Sequence, residues 1–286
     1  MALYSAELAG VSLEGARIAD IGCGVGGALC SCILAGAEEC LGVDRRAVVL
    51  QICRCLARGV GGEVTVALAD AARLPCPEGH FDLILSDEAI SHIRGVDDFL
   101  VEASRALAPG GALVISDANN SACPWTRART KRLWELFERG QAGATDVGHT
   151  IQKSYQQMRA EMIAEFLPEL SEEVVRELAR RTTGLWGDQI LRAVDEYQRT
   201  GDMPAGEYRY GTCPISPEGD YVENLISAFW LARRTRELGL RPRVYSHYGL
   251  TRNAAVRTAN RLLRGIPRLT LWAAPAFRVV ARKPSA

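Results

Sequence analysis

The side chains best suited to chemistry are four aspartates, Asp20, Asp44, Asp70 and Asp87, and a run of glycines behind the first of them. That run reads Asp20-Ile21-Gly22-Cys23-Gly24-Val25-Gly26-Gly27. Glycines let a turn bend tightly and let backbone approach a ligand with no side chain in the way; a helix that starts there offers unpaired N–H groups. The spacing is GxGxGG, not the GxGxxG of dinucleotide sites, and a glycine-rich turn alone is a weak signal. Its neighbours strengthen it. Asp44 stands at the end of the next apolar run, where an acid can accept hydrogen bonds from both hydroxyls of a ribose. Asp70 and Ala71 follow a third run, and Ser86 and Asp87 end a fourth. The bland alternative is that these acids are turn and cap residues of an unrelated doubly wound domain.

Such residues converge only if strands deliver them to one edge. The first 118 residues alternate short apolar runs with helical patterns, which predicts a parallel sheet with both faces covered. Strands are expected at Arg17–Ile21, Glu39–Val43, Glu63–Ala69, Phe81–Ser86 and Ala112–Asp117, with helices at Gly26–Ala35, Arg45–Arg58 and Asp97–Leu107. Pro109-Gly110-Gly111 reads as a break between helix and strand. From Pro124 to Arg199 the pattern changes to four helices, at Pro124–Arg139, Thr150–Phe166, Ser171–Thr182 and Gly187–Gln198, with no convincing strand. A turn-rich stretch, a helix over Asp220–Leu238 and strands at Arg241–Tyr245 and Phe277–Ala281 complete the chain. In an open α/β sheet ligands bind at the C-terminal ends of the strands, and all four aspartates fall at such ends.

This series resembles the class I S-adenosylmethionine-dependent methyltransferases. The likeness covers 16–117 and resumes at the last two strands. It implies a Rossmann-like seven-stranded sheet, the last strand antiparallel, with a large helical insertion after strand five. The domain division would be 1–118 with 219–286 for the cofactor and 119–218 for the insertion, a lid that builds the acceptor pocket. Asp20, Gly22, Gly24 and Gly26 would hold the methionine half of S-adenosyl-L-methionine, Asp44 with Arg45 the ribose, and Asp70 with Ala71 the adenine edge; Ser86 and Asp87 would border the sulfonium. The sequence departs from the family's pattern in three places. Only about sixteen residues precede the first strand, so the N-terminal covering helices are expected to be nearly absent. The insertion is long, and so is the link between the last two strands.

Methyl transfer is an in-line displacement that needs an aligned acceptor, excluded water and, for a hydroxyl acceptor, a base. Histidine is the side chain best poised for that role near neutral pH. His92, just past strand four, is the first candidate and His247, past strand six, the second; for each the alternative is a hydrogen-bonded structural histidine. His149 is placed to reach in from a lid, and His80 reads as a surface residue. Asn119, Asn120 and Trp125 follow strand five, placed to touch acceptor or lid. The stretch Glu207–Pro214 reads either as pocket lining or as a plain surface connection.

Composition limits the field. The chain of 286 residues holds 34 basic and 34 acidic side chains, so its neutral total argues against wholesale nucleic-acid binding. No apolar run is long enough to cross a membrane and no secretory leader is evident, so a cytoplasmic location is expected. Nine cysteines without CxxC or zinc spacing read as reduced core residues, and no metal site is expected. From Leu231 onward thirteen basic residues face one acid, Glu237. That face either meets something anionic or pairs with the acidic remainder of the chain. Within it, 252–277 reads as a basic amphipathic helix, either packed on the sheet or lying on an anionic membrane. The expectation is therefore a methyltransferase acting on a small-molecule acceptor, a natural product, sugar or lipid-linked precursor. The alternatives are a macromolecular (RNA or protein) acceptor or a cofactor-binding module without transfer activity. Self-association stays open.

Overall fold

The computed structural model describes residues 2–145, 148–248, 258, 262–263 and 266–285. The chain forms two compact units, Met1–Pro124 with Ile226–Ala286, and Trp125–Leu225.

Unit 1 is built on seven strands, β1 (Arg17–Ile21), β2 (Glu39–Asp44), β3 (Thr65–Leu68), β4 (Phe81–Asp87), β5 (Leu107–Asp117), β6 (Arg241–His247) and β7 (Ala276–Arg282). Their spatial order is β3-β2-β1-β4-β5-β7-β6. The pairings among β1 to β5 are parallel. β7 runs antiparallel to both β5 and β6. This is the expected Rossmann-like sheet, and the helical unit follows its fifth strand. The order reverses beside β1, so the exits of β1 and β4 diverge around a crevice.

Helices α1 (Ala2–Ala9), α2 (Gly27–Leu34), α3 (Ala47–Gly59) and α4 (Val96–Ala106) precede the insertion, and α9 (Ala228–Glu237) follows it. One apolar core joins Ala2, Ala6 and Ala9 of α1, Leu29 and Cys32 of α2 and Cys53 of α3 to Ile18, Leu83, Leu85, Val114 and Val280. The other joins Phe99, Leu100 and Ala103 of α4 and Leu231 of α9 to Ile84, Leu113, Ile115, Phe277 and Val279. Alternate strand residues supply the two cores, as a sheet covered on both faces requires. The nine cysteines are free thiols. Burial pushes the thiol of Cys40 up to about 11 and that of Cys32 up to about 12, so both stay protonated.

Three expectations for unit 1 need correction. The N-terminal cover is not missing: α1 packs on α2, β4, β5 and β7. β5 starts at Leu107, before the Pro-Gly-Gly break, because the pairing with β4 jumps from Phe81↔Leu107 to Leu83↔Ala112 and absorbs those residues as a bulge. α9 starts at Ala228 instead of Asp220; Ser227 caps it by accepting a hydrogen bond from Trp230 N–H.

Unit 2 contains α5 (Pro124–Arg139), α6 (Tyr155–Phe166), α7 (Glu172–Arg181) and α8 (Asp188–Thr200). Ile163, Val175, Leu178, Ala179, Ile190 and Val194 form its core. Ser154 and Ser171 accept hydrogen bonds from Gln157 and Val174 N–H and start α6 and α7. Thr150, expected in a helix, instead pairs with Ala144 in a two-stranded hairpin. The fully buried Arg159 is held by Glu138 and by the Ala179 carbonyl, 2.8 Å from its Nε. Among the described residues no helix is long and apolar enough to cross a membrane. Part of the expected amphipathic helix over 252–277, including Arg252, Arg257, Arg261 and Arg264, lies outside the described residues.

Candidate active site

The turn that leaves β1 is shaped by its glycines. Gly22 has φ +77°, and a Cβ there would lie 2.4 Å from Ala89 Cβ; Gly26 has φ +84°, and a Cβ there would lie 2.2 Å from Cys53 Sγ. Any side chain at either position forces apart the β1 exit and its neighbours, so glycine is required sterically as well as conformationally. β2 fixes the middle of the turn: Gly24 N–H donates to Asp44 Oδ2 at 3.0 Å. The other Asp44 oxygen accepts the Arg46 N–H at 2.9 Å, with Arg46 Nε at 3.5 Å. Arg46 thus meets that carboxylate, and Arg45 lies beside it on the exposed rim.

Behind the turn sits Asp20, almost fully buried. Burial chiefly, then the negative charges of Asp87 and Asp44, raise its carboxyl to about 7. Three carboxylates from β1, β2 and β4 thus share one electrostatic neighbourhood. Asp87 Oδ1 and Ser86 Oγ are buried with no hydrogen-bond partner among the described residues. Asp70 is different. It is exposed and accepts the Ala72 N–H at 2.9 Å, a local turn at the exit of β3, beside the buried Ala71.

Two groups that sequence reasoning passed over complete this rim. Arg278, 1% exposed, enters from β7 and donates through Nε to Ser116 Oγ at 2.8 Å, with its guanidinium 5.0 Å from the Tyr4 ring centroid. Burial lowers its pKa; the charge of Asp87 acts against that. Asp117, fully buried, accepts N–H groups from Ser91 (3.1 Å) and Asn119 (2.8 Å) and anchors both loops. Between them Glu88 adopts φ +53°, a left-handed conformation rare for a non-glycine residue. Its N–H donates to the Ser116 carbonyl (2.8 Å) and its carboxylate accepts the Ala118 N–H (3.1 Å), which over-determines the strained turn.

The histidines separate. His92 is exposed on a 3-10 turn after β4, over Ile90–His92. His247 is buried at the end of β6; burial first, and the Arg278 charge second, push it down to about 4. His80, half-buried, pairs with Glu39 at 2.8 Å just before β4 and belongs to the opposite rim. His149 lies 3.5 Å from Arg129 in unit 2. Asn120 is no acceptor contact: buried, it spends its amide on the Leu271 and Ala274 carbonyls (2.7 and 2.8 Å) and its oxygen on Ala122 N–H. Within unit 2 a cavity of about 80 Å³ is lined by Glu138, Arg139 and Tyr208, room for a few waters at most. No cluster suited to a metal ion occurs among the described residues.

Residues 19–115 match the family model described as methyltransferase domain. Among curated proteins, the chain is 33% identical over 109 residues to a ubiquinone biosynthesis O-methyltransferase of Sinorhizobium medicae, 38% of this chain and 44% of that protein. It is 35% identical over 98 residues to norajmaline N-methyltransferase of Rauvolfia serpentina, 34% of each chain. The matched segment therefore spans less than half the length of these relatives. A solved S-adenosylmethionine-dependent methyltransferase from Mesorhizobium loti superposes with TM-score 0.51 at 19% identity, covering 99% of this chain and 98% of that one. Residues 19–115 thus match a methyltransferase domain, and the chain has a Rossmann-like fold.

Proposed function

We propose that the chain transfers a methyl group from S-adenosyl-L-methionine to a small-molecule acceptor. The observation that carries this is the convergence of Asp20, Asp44 and Asp87 on the glycine turn, with Asp20 raised to about 7 by burial and by its two acidic neighbours. Three carboxyls held this close in partial burial fit a ligand that is cationic and rich in donors. S-adenosyl-L-methionine is both, and bound there it supplies an already activated methyl group. Asp20 and the N–H groups of 22–27 would hold its amino-acid end, and Asp44, with Arg45, its ribose. Asp70 and Ala71 would border the adenine, and Ser86 and Asp87 would face the sulfonium.

The chain's own residues then have three tasks. Asp117 and Glu88 fix the β4 and β5 loops, so the acceptor meets a rigid wall. The carboxylates stabilise positive charge before transfer. His247, neutral throughout the physiological range, and His92 are the proposed proton acceptors. The relatives' names, one in ubiquinone biosynthesis and one for norajmaline, support a small acceptor. A natural product, sugar or lipid-linked precursor remains the proposed class, a cytoplasmic location the proposed setting, and unit 2 the proposed acceptor-binding unit.

The test is calorimetric titration with S-adenosyl-L-methionine and its demethylated product, followed by transfer assays on a metabolite panel, RNA and protein. Saturable binding with transfer to a metabolite supports the reading. Transfer to RNA or protein alone, or binding without any transfer, replaces it.

A further inference from the structure

We propose a second binding site in unit 1, for a small soluble polyanion bearing phosphate groups, at the rim of the sheet away from the glycine turn. A cavity of about 420 Å³ lies there, of the size small-molecule sites occupy. Its lining includes Arg241, Arg243, Arg282 and Lys283, with Glu7 as the one acid. The register places it. Arg282 pairs with Ala112 midway along β5 and the chain beyond it bonds Gly111 and Gly110, whereas Phe277 pairs with Asp117 at the site end.

The arrangement of charge is unfavourable unless something compensates it. Arg241 and Arg282 are direct partners across the β6–β7 ladder, so their side chains share one face. Like charges directly opposite destabilise a sheet. Arg243, two residues along β6, adds a third guanidinium to that face. None of the four cations makes an ion pair with a carboxylate among the described residues. Elsewhere in the same basic stretch, Arg233 and Arg234 pair with Glu237, and Arg234 also with Asp97. Self-pairing thus accounts for two of the three arginines of α9 but not for this cavity.

Protection of the sheet edge is a competing explanation, since β6 is an edge strand and charged residues with Pro242 discourage edge pairing. It does not reach Arg282, which sits on an interior strand. There its Nη2 donates to the Gly110 carbonyl (3.2 Å) and its Nη1 lies 3.0 Å from where a Cβ on Gly10 would stand. Gly10 leaves room for that guanidinium in the cavity wall. Lys283 is partly used, donating to the Ser104 and Leu107 carbonyls at the end of α4. Three guanidinium forks suit oxyanions in bidentate geometry, and their number calls for a ligand with several charges.

Inorganic pyrophosphate is the probe, titrated into the full chain by calorimetry. The expected result is saturable binding at one site per chain, weakened about tenfold or more in Arg241→Gln/Arg243→Gln and falling as salt rises from about 50 to about 200 mM. Both arginines are exposed, so the double variant keeps the fold. Cofactor titration of that variant should match the parent, which separates this site from the proposed active site. Arg233→Gln/Arg236→Gln, with the same loss of charge on α9, should bind pyrophosphate normally. No saturable binding, or equal weakening in the α9 variant, overturns the proposal. So does binding of poly-glutamate or of anionic vesicles in place of pyrophosphate.

Discussion

Gly24 and Asp44 are joined by a 3.0 Å hydrogen bond from backbone amide to carboxylate, which ties the turn after β1 to the end of β2. One side chain thus both shapes the turn and faces the proposed ribose site. Asp44→Ala should lower cofactor affinity by about 1.5–3 kcal/mol, ten- to a hundredfold, the range for hydrogen bonds to charged groups. Asp44→Asn should lose less, because its amide oxygen can still accept from Gly24. Calorimetric dissociation constants for the two variants check the order; equal affinities in both and in the parent would remove Asp44 from the site.

Asp20 predicts an unusual pH dependence of stability. Its folded pKa, about 7, lies above the ordinary 3.8, so the folded chain binds the extra proton between those values. Stability contributed at this position should rise as pH falls from about 7 toward about 4, by on the order of 4 kcal/mol over the whole window. Asp20→Asn should flatten that slope in urea titrations of the free chain while abolishing cofactor binding. Cofactor binding near pH 6 should also release a proton from Asp20. Calorimetry in buffers of different ionisation enthalpy measures it, and identical heats would show that no cation meets this carboxyl.

His247 acts in the opposite sense. Its folded pKa, about 4, is below the ordinary 6.5, so the unfolded chain takes up the proton first. Stability should be lost as pH falls from about 6.5 toward about 4, by about 3 kcal/mol in total. His247→Gln should remove that loss. If His247 is the base, the same variant should lower kcat a hundredfold or more with KM little changed. If His92→Gln is the variant that loses kcat, the roles of the two histidines exchange.

In unit 2, Glu138 accepts from Arg159 and from Thr183 Oγ1, the latter at 2.9 Å. Glu138→Ala strands a fully buried guanidinium and should cost about 3–5 kcal/mol. Glu138→Leu/Arg159→Met should recover most of it, because no unpaired charge remains. Denaturant midpoints of the two variants decide the point.

Much of the sheet was legible from sequence because its strands are covered on both faces and read as continuous apolar runs. The exits of β1, β2 and β4 carry acids whose placement follows from parallel order alone. The N-terminal cover escaped because Ala2, Ala6 and Ala9 bury a small-residue stripe too short to look like a helix. Arg278 escaped for a different reason. An arginine inside Phe277-Arg278-Val279 reads as the solvent side of a strand, and the Ser116 that receives it stands 162 residues earlier. Asn120 failed in the other direction: its place after β5 suggested ligand contact, while two carbonyls near Pro275 consume it.

That same separation governs assembly. β5 receives one neighbour from β4, close in sequence, but the strand that covers its other edge arrives only after the whole of unit 2 has been made. During synthesis the growing chain therefore carries an uncapped β5, with the backbone N–H and C=O groups along its free edge open to the solvent and to other nascent chains. Closing the sheet is a late, long-range event of high loop-closure entropy. Chaperone dependence and recovery after dilution from urea should both be set by that one docking step.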